Sequence, residues 1–510
     1  MIEQVQQRAG RKEWVGLAVI SIACVLYIMD LSVLEMAIPA ISEDLHPSSV
    51  QLLWIIDVYG FMVAGFLITM GSLGDRLGRR KLLLYGAGFF GAASVFAAFA
   101  QSAEMLIFAR AVMGVAGATI APSTLSLIRN MFADHEQRSR AIGVWVTSFS
   151  VGGAVGPVIG GIVLEFYWWG AVFLINVPVM ALLLVLGPKL LPEFKDPTAG
   201  RADIPSLLAS LSAILLVVFA IKKVAQDGLS VVALAALTVG VVVGVWFVRR
   251  QRGLDDPLID LHLFGIPAFR AALVIYGIGV MVMFGGFLFM PQYLQLVLGY
   301  SPFATGMWMV PSAAMFVLGS NVSPWLLRWC GPAIQLGTGL VLAAIGFGII
   351  ALVQPDQGLW QVVVGSILFS LGLAPIFTLT TDVIISAAPA NRAGAAAGIS
   401  ETSAELGGAL GIAVFGSIAV ALYRARIEPA LSGVSADAAE SARGTLGGAM
   451  NAARALPGEV GHRLLSASAE AFTVGMQVTA VMSALLALGL GGLVLARGKS
   501  VVDVGGEVRE

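Results

Sequence analysis

Five ionisable side chains lie inside long apolar stretches of this sequence, where charge is costly and usually marks a functional site. They are Asp30, Asp57, Arg110, Glu401 and Glu405. A buried acid can exchange a proton or hold a cation, and a buried arginine can pair with such an acid. We therefore treat all five as candidates for proton coupling, and the four acids also as candidate contacts for a cationic substrate.

Depth along the predicted helices indicates which of these groups meet. At about 1.5 Å per residue, Asp30 lies roughly 9 Å inside the outer end of its helix, and Asp57 roughly 10 Å inside that of the next. Arg110 is about six residues from the outer end of its own helix, at a comparable depth. One interpretation is an Asp–Arg pair that an arriving proton breaks. The alternative is a static ion pair that only neutralises itself.

Glu401 and Glu405 are four residues apart, so a helix places both carboxylates on one face. Like charges at that spacing repel, and we expect at least one of the two to hold a proton near neutral pH. Such an acid suits competition between a proton and a cationic drug. The alternative is a pair at the inner end of the helix that water reaches. Asp382, near the inner end of another helix, is expected to face water.

Aromatic side chains in the apolar stretches are candidates for the wall of a substrate cavity, because their π faces attract cations. Most aromatic residues of a membrane protein pack or lie at the interface, so only some of them should line such a cavity. The candidates are Trp54, Tyr59, Trp145, Phe149, Tyr276, Phe284 and Trp308.

The amino-acid composition indicates that the helices carrying these groups lie in a lipid bilayer. Of 510 residues, 58% are hydrophobic and 12% charged, against roughly 45–50% and 25% in soluble domains. The apolar residues recur in runs of about 20, the length of a helix that crosses a bilayer. The formal net charge of −1 suggests no nucleic-acid partner. Two cysteines and four scattered histidines give no disulfide framework, metal site or cofactor site.

These runs predict fourteen transmembrane helices with both termini on one side of the membrane. Loops on that side, together with the termini, carry 22 of the 30 Lys and Arg residues, so we predict that this side is the cytoplasm. The helices are predicted near 14–36, 50–70, 81–101, 104–127, 141–164, 168–188, 204–222, 230–248, 270–292, 302–326, 333–353, 359–385, 396–422 and 471–496.

Charged linkers divide the predicted helices into three blocks. Residues 1–190 form an N-terminal six-helix bundle, 191–265 contribute two additional helices, and 266–510 form a C-terminal six-helix bundle. Within the last block, residues 423–470 make a long extracytoplasmic segment. Ser435 to Arg454 in that segment has the composition of an amphipathic helix, and we predict an outer lid or hairpin over the exit.

The loop that follows the second predicted helix reads Gly71-Ser-Leu-Gly-Asp-Arg-Leu-Gly-Arg-Arg-Lys81. The pattern G-x-L-x-D-R-x-G-R-R-K resembles the signature loop of the major facilitator superfamily. In that family the loop is a cytoplasmic latch whose aspartate can meet the N-terminus of a helix of the other half, where the dipole favours an anion. The resemblance implies that this loop holds an outward-open state through Gly71, Asp75, Arg76, Gly78 and Arg79.

A second motif lies in the fifth predicted helix, where small residues at four-residue spacing allow close helix packing and a proline bends the helix. Packing alone would explain the pattern. The pattern G-x-x-x-G-P-x-x-G-G also resembles the antiporter motif of exchangers in the superfamily, and this resemblance favours export. Its residues are Gly152, Gly156, Pro157, Gly160 and Gly161.

The stretches Met29 to Pro39 and Trp54 to Tyr59 resemble those of the fourteen-helix drug:proton antiporters, the QacA-like multidrug exporters. The resemblance covers nearly the whole chain. It implies an all-α major facilitator fold of two six-helix bundles plus two inserted helices, in the bacterial inner membrane. It also implies export of lipophilic cations driven by the proton gradient, without a cofactor, by a protein functional as a monomer.

Two alternatives to drug export remain open at this point. The same motifs occur in exporters of endogenous metabolites, lipids or antibiotics, and a substrate-dependent resistance profile would separate these. A membrane enzyme should show a catalytic cluster at the interface, and a receptor should show a substantial soluble output domain. Neither feature is evident in the sequence.

Overall fold

The computed structural model describes residues 8–501 except 48, 196–202, 255–256, 356, 390–392, 445, 455 and 457, and it omits some side chains within helices. The described residues form helices throughout, without a β-strand. The α-helices are α1 Arg11–Leu45, α2 Ser49–Leu77, α3 Arg79–Ala98, α4 Ala103–Gly117, α5 Ile120–Met131, α6 His135–Phe166, α7 Ala171–Leu174, α8 Asn176–Leu190, α9 Ile204–Asp227, α10 Val231–Gln251, α11 Pro267–Phe287, α12 Met290–Gln292, α13 Pro302–Leu326, α14 Pro332–Ile350, α15 Leu359–Pro375, α16 Thr381–Ala387, α17 Ala393–Ile427, α18 Ala436–Gly444, α19 Leu446–Arg454 and α20 Gly458–Val501.

Each of the fourteen predicted segments overlaps a helix or a pair of consecutive helices. Within the described residues, twelve helical stretches are long and apolar enough to cross a membrane, or thirteen if the bent α6 is one span. The remaining predicted segment corresponds to α13, which is 25 residues long but carries prolines, serines and Asn321 that lower its hydropathy. The structure is therefore compatible with fourteen spans, and that number stays a prediction.

Polar residues mark where several of these helices begin. The side chains of Ser102, Asp134, Ser230 and Ser301 each accept a hydrogen bond from the backbone N–H three residues later, at 2.9–3.2 Å. The first backbone N–H groups of a helix have no partner within it, so such a side chain stabilises the helix start. In a chain this apolar, these caps separate one apolar run from the next.

A proline explains the break between α7 and α8. Pro178 has no N–H and cannot donate to the carbonyl of Leu174, four residues earlier. The chain leaves the regular α-helix at Ile175, between the two helices. Asn176 is the first residue after this break, and it lies within an otherwise apolar span.

Several helices are longer than their apolar runs. The helix α1 continues to Leu45 and α20 begins at Gly458, beyond the predicted ends near 36 and 471. Hydropathy identifies only the part of a helix that lies in the bilayer. Alanine and charged residues can continue the same helix outside the bilayer. The predicted amphipathic helix over 435–454 forms as two short helices, α18 and α19.

The helices α1 to α8, called here the first half, and α11 to α20, the second half, contribute to two hydrophobic cores. The first core contains side chains of α1 to α8 together with some from α9, α10, α11, α13, α15, α16 and α17. The second contains side chains of α11, α14, α15 and α17 to α20. Because α11 and α17 contribute to both cores, the halves are in direct contact.

The inserted hairpin consists of α9 and α10. Leu211 and Leu215 of α9 pack against Gly65 of α2, where a β-carbon would come within 2.9 Å of both side chains. At the base of the hairpin, Arg250 donates to both carboxylate oxygens of Asp203, at 2.7 and 3.0 Å. These hydrogen bonds lower the pKa of Asp203 to about 2. The hairpin thus has its own ion pair, between the N-cap of α9 and the last turn of α10.

Candidate functional site

Asp30 and Arg110 form an ion pair in the middle of the first half. The guanidinium Nη1 of Arg110 donates to Oδ2 of Asp30, and both side chains are buried. Nε of Arg110 also points at the carbonyl oxygen of Ile55, at 3.4 Å. The guanidinium carbon lies 4.7 Å from the centre of the Tyr59 ring, within the range of a cation–π contact. The depth comparison placed Arg110 level with both Asp30 and Asp57, and in the structure Arg110 pairs with Asp30.

Asn176 completes the surroundings of Asp30, and sequence reasoning missed it. Its amide Nδ2 donates to Oδ1 of Asp30 at 2.9 Å and lies 3.3 Å from Oγ of Ser94. Its side chain is 1% exposed. The signal available in the sequence was a single amide in the apolar run Val172 to Met180, two residues before a proline. Each oxygen of the Asp30 carboxylate thus has its own donor.

The acids of α17 lie opposite, in the second half. Glu401 and Glu405 are both half-buried. Oε1 of Glu401 is buried and has no hydrogen-bond partner among the described residues. Tyr27 of α1 and Tyr276 of α11 each interact electrostatically with both glutamates. This region lies where the halves meet.

Some of the predicted aromatic residues gather beside these acids. The ring of Tyr27 lies 6.0 Å from those of Tyr59 and Phe149, and Phe149 lies 4.5 Å from Trp145. Trp145 donates from its indole nitrogen to Thr124 at 2.9 Å. These rings form one cluster in the first half, and Tyr27 was not among the predicted candidates.

A smaller aromatic group lies in the second half. Phe377 lies 5.4 Å from Tyr276 and 5.3 Å from Phe316. It belongs to the π-helical turn Ile376–Thr380, which separates α15 from α16. Such turns are frequent at functional sites. Neither Phe316 nor Phe377 was predicted from the sequence.

The other predicted aromatic residues lie elsewhere. Trp54 is 40% exposed and packs on Phe61, which contacts Phe219 of the inserted hairpin. Trp308 packs on Trp360, a residue 66% exposed at the edge formed by α13 and α15. Phe284 packs against Gly408 and Gly411 of α17, so it is a helix-packing residue.

Residues 71–81, predicted as a loop, form the end of α2 and the start of α3 with Gly78 between them. This loop segment is built around a buried ion pair and two glycines. Arg79 pairs with Asp75, and both are buried. A β-carbon on Gly74 would come within 2.3 Å of the Arg79 guanidinium. Gly78 has φ +114°, a conformation that favours glycine. Gly71 and Arg76 are buried in α2.

The same loop contacts the other half. Oδ2 of Asp75 accepts a hydrogen bond from the backbone N–H of Ala395, at 3.1 Å, in the first turn of α17. A carboxylate there benefits from the positive end of the helix dipole. This is the contact that the family resemblance implied.

Further contacts between the halves lie at the same end of the molecule, called here the basic end because it carries the loops 71–81, 128–140, 327–332 and 386–395. Arg129 donates to the carbonyl oxygens of Ile385 and Ala388, at the C-terminus of α16. Arg328 pairs with Glu136 in the first turn of α6. These contacts close the basic end between the halves, and the sequence did not predict them.

Asp382 corrects an expectation. It was predicted to face water, but it is 4% exposed. Nε of Arg138 lies 3.3 Å from its carboxylate, and the ring of His135 lies 3.6 Å away. Both partners come from the start of α6, in the other half. A prediction from one helix could not include them.

The glycine motif of α6 lies on α1. A β-carbon on Gly152 would come within 2.4 Å of the Val25 carbonyl oxygen, and one on Gly160 within 3.3 Å of Val33. Gly156 is buried and Gly161 is exposed. The axis of α6 bends by 41° between His135–Gly153 and Val158–Phe166. The motif therefore forms a close helix–helix seam.

Two predicted residues have side chains outside the described part of the structure. They are Asp57 of α2 and Pro157 of α6, so their assigned roles remain predictions. Among the described residues, no group of three or more His, Cys, Asp or Glu side chains could hold a metal ion.

Comparisons with known proteins agree with this architecture. A family model described as Major Facilitator Superfamily matches residues 20–412. The chain is 41% identical to the multidrug efflux pump LfrA of Mycolicibacterium smegmatis, over 94% of this chain and 95% of that protein. It is 34% identical to the methyl viologen resistance protein SmvA of Salmonella typhimurium, over 94% and 98%.

A solved structure has the same fold at low sequence identity. The human organic anion transporter MFSD10 superposes with a TM-score of 0.60 and 15% identity, over 93% of this chain and 99% of that one. The helical spans, the glycine-rich basic loop and the family match lead to one conclusion. The chain belongs to the Major Facilitator Superfamily of membrane transporters.

Proposed function

We propose that this protein exports lipophilic cations, such as quaternary ammonium compounds and cationic dyes, in exchange for protons. It does so as a monomer in the bacterial plasma membrane, with both termini in the cytoplasm. The similarity to a multidrug efflux pump and to a methyl viologen resistance protein supports drug export. Coupling to protons and the cationic nature of the substrate are our proposal.

One observation carries the proposal: the two halves each hold an acid within their helices, in different surroundings. Asp30 is fully hydrogen-bonded to Arg110 and Asn176, whereas Oε1 of Glu401 is buried without a described donor. A buried carboxylate without a donor is costly as an anion. In our account Glu401 therefore holds a proton in this state, and a cation that approaches can replace it.

The aromatic residues near Glu401 and Glu405 suit a flat cation. Tyr27 and Tyr276 come from opposite halves and both interact with Glu401. A cation beside Glu401 would have an aromatic side chain of each half nearby and a carboxylate as counter-ion. We infer that the substrate binds in this region, and that Trp54, Phe284 and Trp308 do not contact it.

The closed basic end gives a direction to the transport cycle. If the basic loops face the cytoplasm, as their charge predicts, the contacts of Asp75, Arg129 and Arg328 close the inner side. The state described here is then outward-facing. A proton from outside would neutralise an acid, release the drug outward and allow the halves to rock.

The proposal can be tested with everted membrane vesicles that hold a pH gradient. Addition of ethidium should dissipate part of the gradient in vesicles with the wild-type protein, and not in vesicles with Asp30→Asn at equal expression. Glu428→Gln is the matched control, because Glu428 pairs with Arg443 outside the central region. Glu428→Gln should behave as wild type.

A panel of monovalent and divalent cations extends this experiment. Proton movement with none of them would overturn the proposal. Proton movement with neutral metabolites or antibiotics, but with no cation, would favour the endogenous-substrate alternative.

A further inference from the structure

The side chain of Asn176 contacts Asp30 but has no place in the mechanism described so far. Neither Asn176 nor Ser94 belongs to the basic loop or to the glycine motif. Both lie in the apolar interior of the first half, and Asn176 is buried. An amide there needs hydrogen-bond partners, because an unpaired polar group in the membrane interior is costly. Its partners are Asp30 and Ser94.

The two oxygens of Asp30 face different kinds of partner. Oδ2 receives a hydrogen bond from Arg110, and a guanidinium has donors only. A proton on Oδ2 would therefore point at another donor. Oδ1 faces the amide of Asn176 at 2.9 Å, and an amide has both a donor and an acceptor. If Asp30 takes up a proton, the O–H bond should form on Oδ1.

Rotation of the amide would satisfy both protonation states. With Asp30 ionised, Nδ2 of Asn176 donates to Oδ1 and lies near Oγ of Ser94. After protonation, the amide oxygen can accept from the new O–H and also from the Ser94 hydroxyl, which can donate as well as accept. Arg110 would keep the Ile55 carbonyl and the Tyr59 ring as partners.

We propose that Asn176 is the positioning residue that controls proton uptake by Asp30, by donating to its carboxylate and, after an amide rotation, accepting from its carboxylic acid. The inference rests on the proposed function, in which Asp30 takes part in proton coupling. Ser94 acts through Asn176, because its hydroxyl fits both orientations of the amide. The proton comes from the outer aqueous phase.

Other groups near Asp30 also influence its charge and must be held constant in a test. Arg110 of α4, Asn176 of α8 and Tyr59 of α2 interact with Asp30 directly. Ser94 of α3 contacts Asn176, and Glu405 of α17, in the other half, interacts with Tyr59. The side chain of Asp57 lies outside the described residues.

The direct test is an infrared pH titration of the carboxylic-acid carbonyl band of Asp30. For wild type and for each variant, this band is isolated by subtracting the spectrum of the same protein with Asp30→Asn added. Asn176→Leu removes a partner of both forms of Asp30, but a hydrogen bond to the ionised form is the stronger, so the anion loses more than the acid. The midpoint of the titration should rise by about one pH unit. Asn176→Asp adds a like charge and should raise the midpoint further.

The control is Gln335→Leu, which removes another buried amide with two hydrogen bonds, to Ser323 in the second half. Its midpoint should equal that of the wild type, although its stability falls. Asn176→Ser is a smaller change that covers failure of the leucine variant to reach the membrane. It should shift the midpoint in the same direction, and an unchanged midpoint in either variant overturns the inference.

Proton-coupled ethidium efflux from proteoliposomes, measured on the same variants, separates this inference from the proposed function. Efflux in Asp30→Asn equal to wild type would refute the role of Asp30 while a shifted band in Asn176→Leu would still support the amide contact. Loss of coupling in Asp30→Asn, with an unshifted band in Asn176→Leu, would refute the role of Asn176 alone.

Discussion

Asp30 and Glu401 are both acids within membrane-spanning helices, but their surroundings differ. Asp30 in the first half accepts from Arg110 and Asn176, so both of its oxygens have donors. Glu401 in the second half has a buried oxygen that lacks a partner among the described residues. The first environment stabilises an anion, and the second favours a neutral acid. The halves thus offer one site suited to charge and one suited to a proton.

This difference separates two roles that the sequence could not distinguish. Asp30, Asp57, Glu401 and Glu405 were equivalent candidates for proton coupling while only their depth and spacing were known. In our interpretation Asp30 releases Arg110 when it takes up a proton, and Glu401 holds the proton that a cation replaces. Four substitutions test the comparison.

The largest effect is expected from Arg110→Met. It leaves the Asp30 carboxylate buried with the Asn176 amide as its remaining described donor, and loss of one partner from a buried pair costs about 3–5 kcal/mol of stability. Thermal unfolding in detergent would measure this loss. The double variant Arg110→Met with Asp30→Asn should recover most of it, since no charge is left. A double variant as unstable as the single one would contradict the buried pair.

Glu401→Gln should affect transport and leave stability nearly unchanged. The neutral amide replaces an acid that we expect to be neutral already, so the free energy of unfolding should stay within about 1 kcal/mol of wild type. Ethidium export should lose its dependence on the pH gradient. Glu405→Gln in the same assay shows whether the two acids are interchangeable. A stability loss as large as that of Arg110→Met would mean that Glu401 is ionised and paired.

Asp75→Asn tests whether the closed basic end controls access to the two acids. The neutral amide loses the charge that favours the N-terminus of α17, a difference of about 1 kcal/mol or roughly fivefold in population. It also leaves Arg79 buried without its charge partner, so labelling is compared at equal amounts of folded protein. The probe is Ser400→Cys, at a buried position of α17, in a background without Cys24 and Cys330. Labelling by an impermeant thiol reagent from the basic end should rise about fivefold. Unchanged labelling would show that the loop does not close this end.

The smallest effect is expected from Arg250→Met. Its ion pair with Asp203 is partly exposed, with side-chain exposures of 34% and 20%, and exposed pairs contribute little. The pKa of Asp203 is lowered to about 2. The contribution of the pair is therefore complete above the unfolded pKa of about 3.9 and lost as the pH falls towards 2. Stability should be slightly below that of wild type, by the same amount at every pH from 5 to 8, and a loss that varies with pH in that range would contradict this.

The sequence predicted the family and much of the fold. Runs of apolar residues located the helices, and the loop 71–81 with the α6 glycines indicated the superfamily, which the comparisons confirm. Patterns of this kind depend on local spacing. The lengths of α1, α17 and α20 were underestimated because hydropathy does not mark the end of a helix that leaves the bilayer.

The site was predicted less completely, because its parts depend on contacts between helices. Depth placed Arg110 at the level of Asp30 and Asp57 but did not indicate which of them it pairs with. Asn176 was missed because a single asparagine has no recognisable pattern. Trp308 was included because the residue type alone does not reveal which face of its helix the side chain occupies. The paired state of Asp382 depends on Arg138, 244 residues away in the chain.

The most direct test of the account is an infrared measurement of carboxylic-acid carbonyl bands at neutral pH, on wild type, Glu401→Gln and Asp30→Asn. We predict a band in the wild type that is lost in Glu401→Gln and kept in Asp30→Asn. A band that survives in Glu401→Gln and disappears in Asp30→Asn would contradict the division of roles between the two halves.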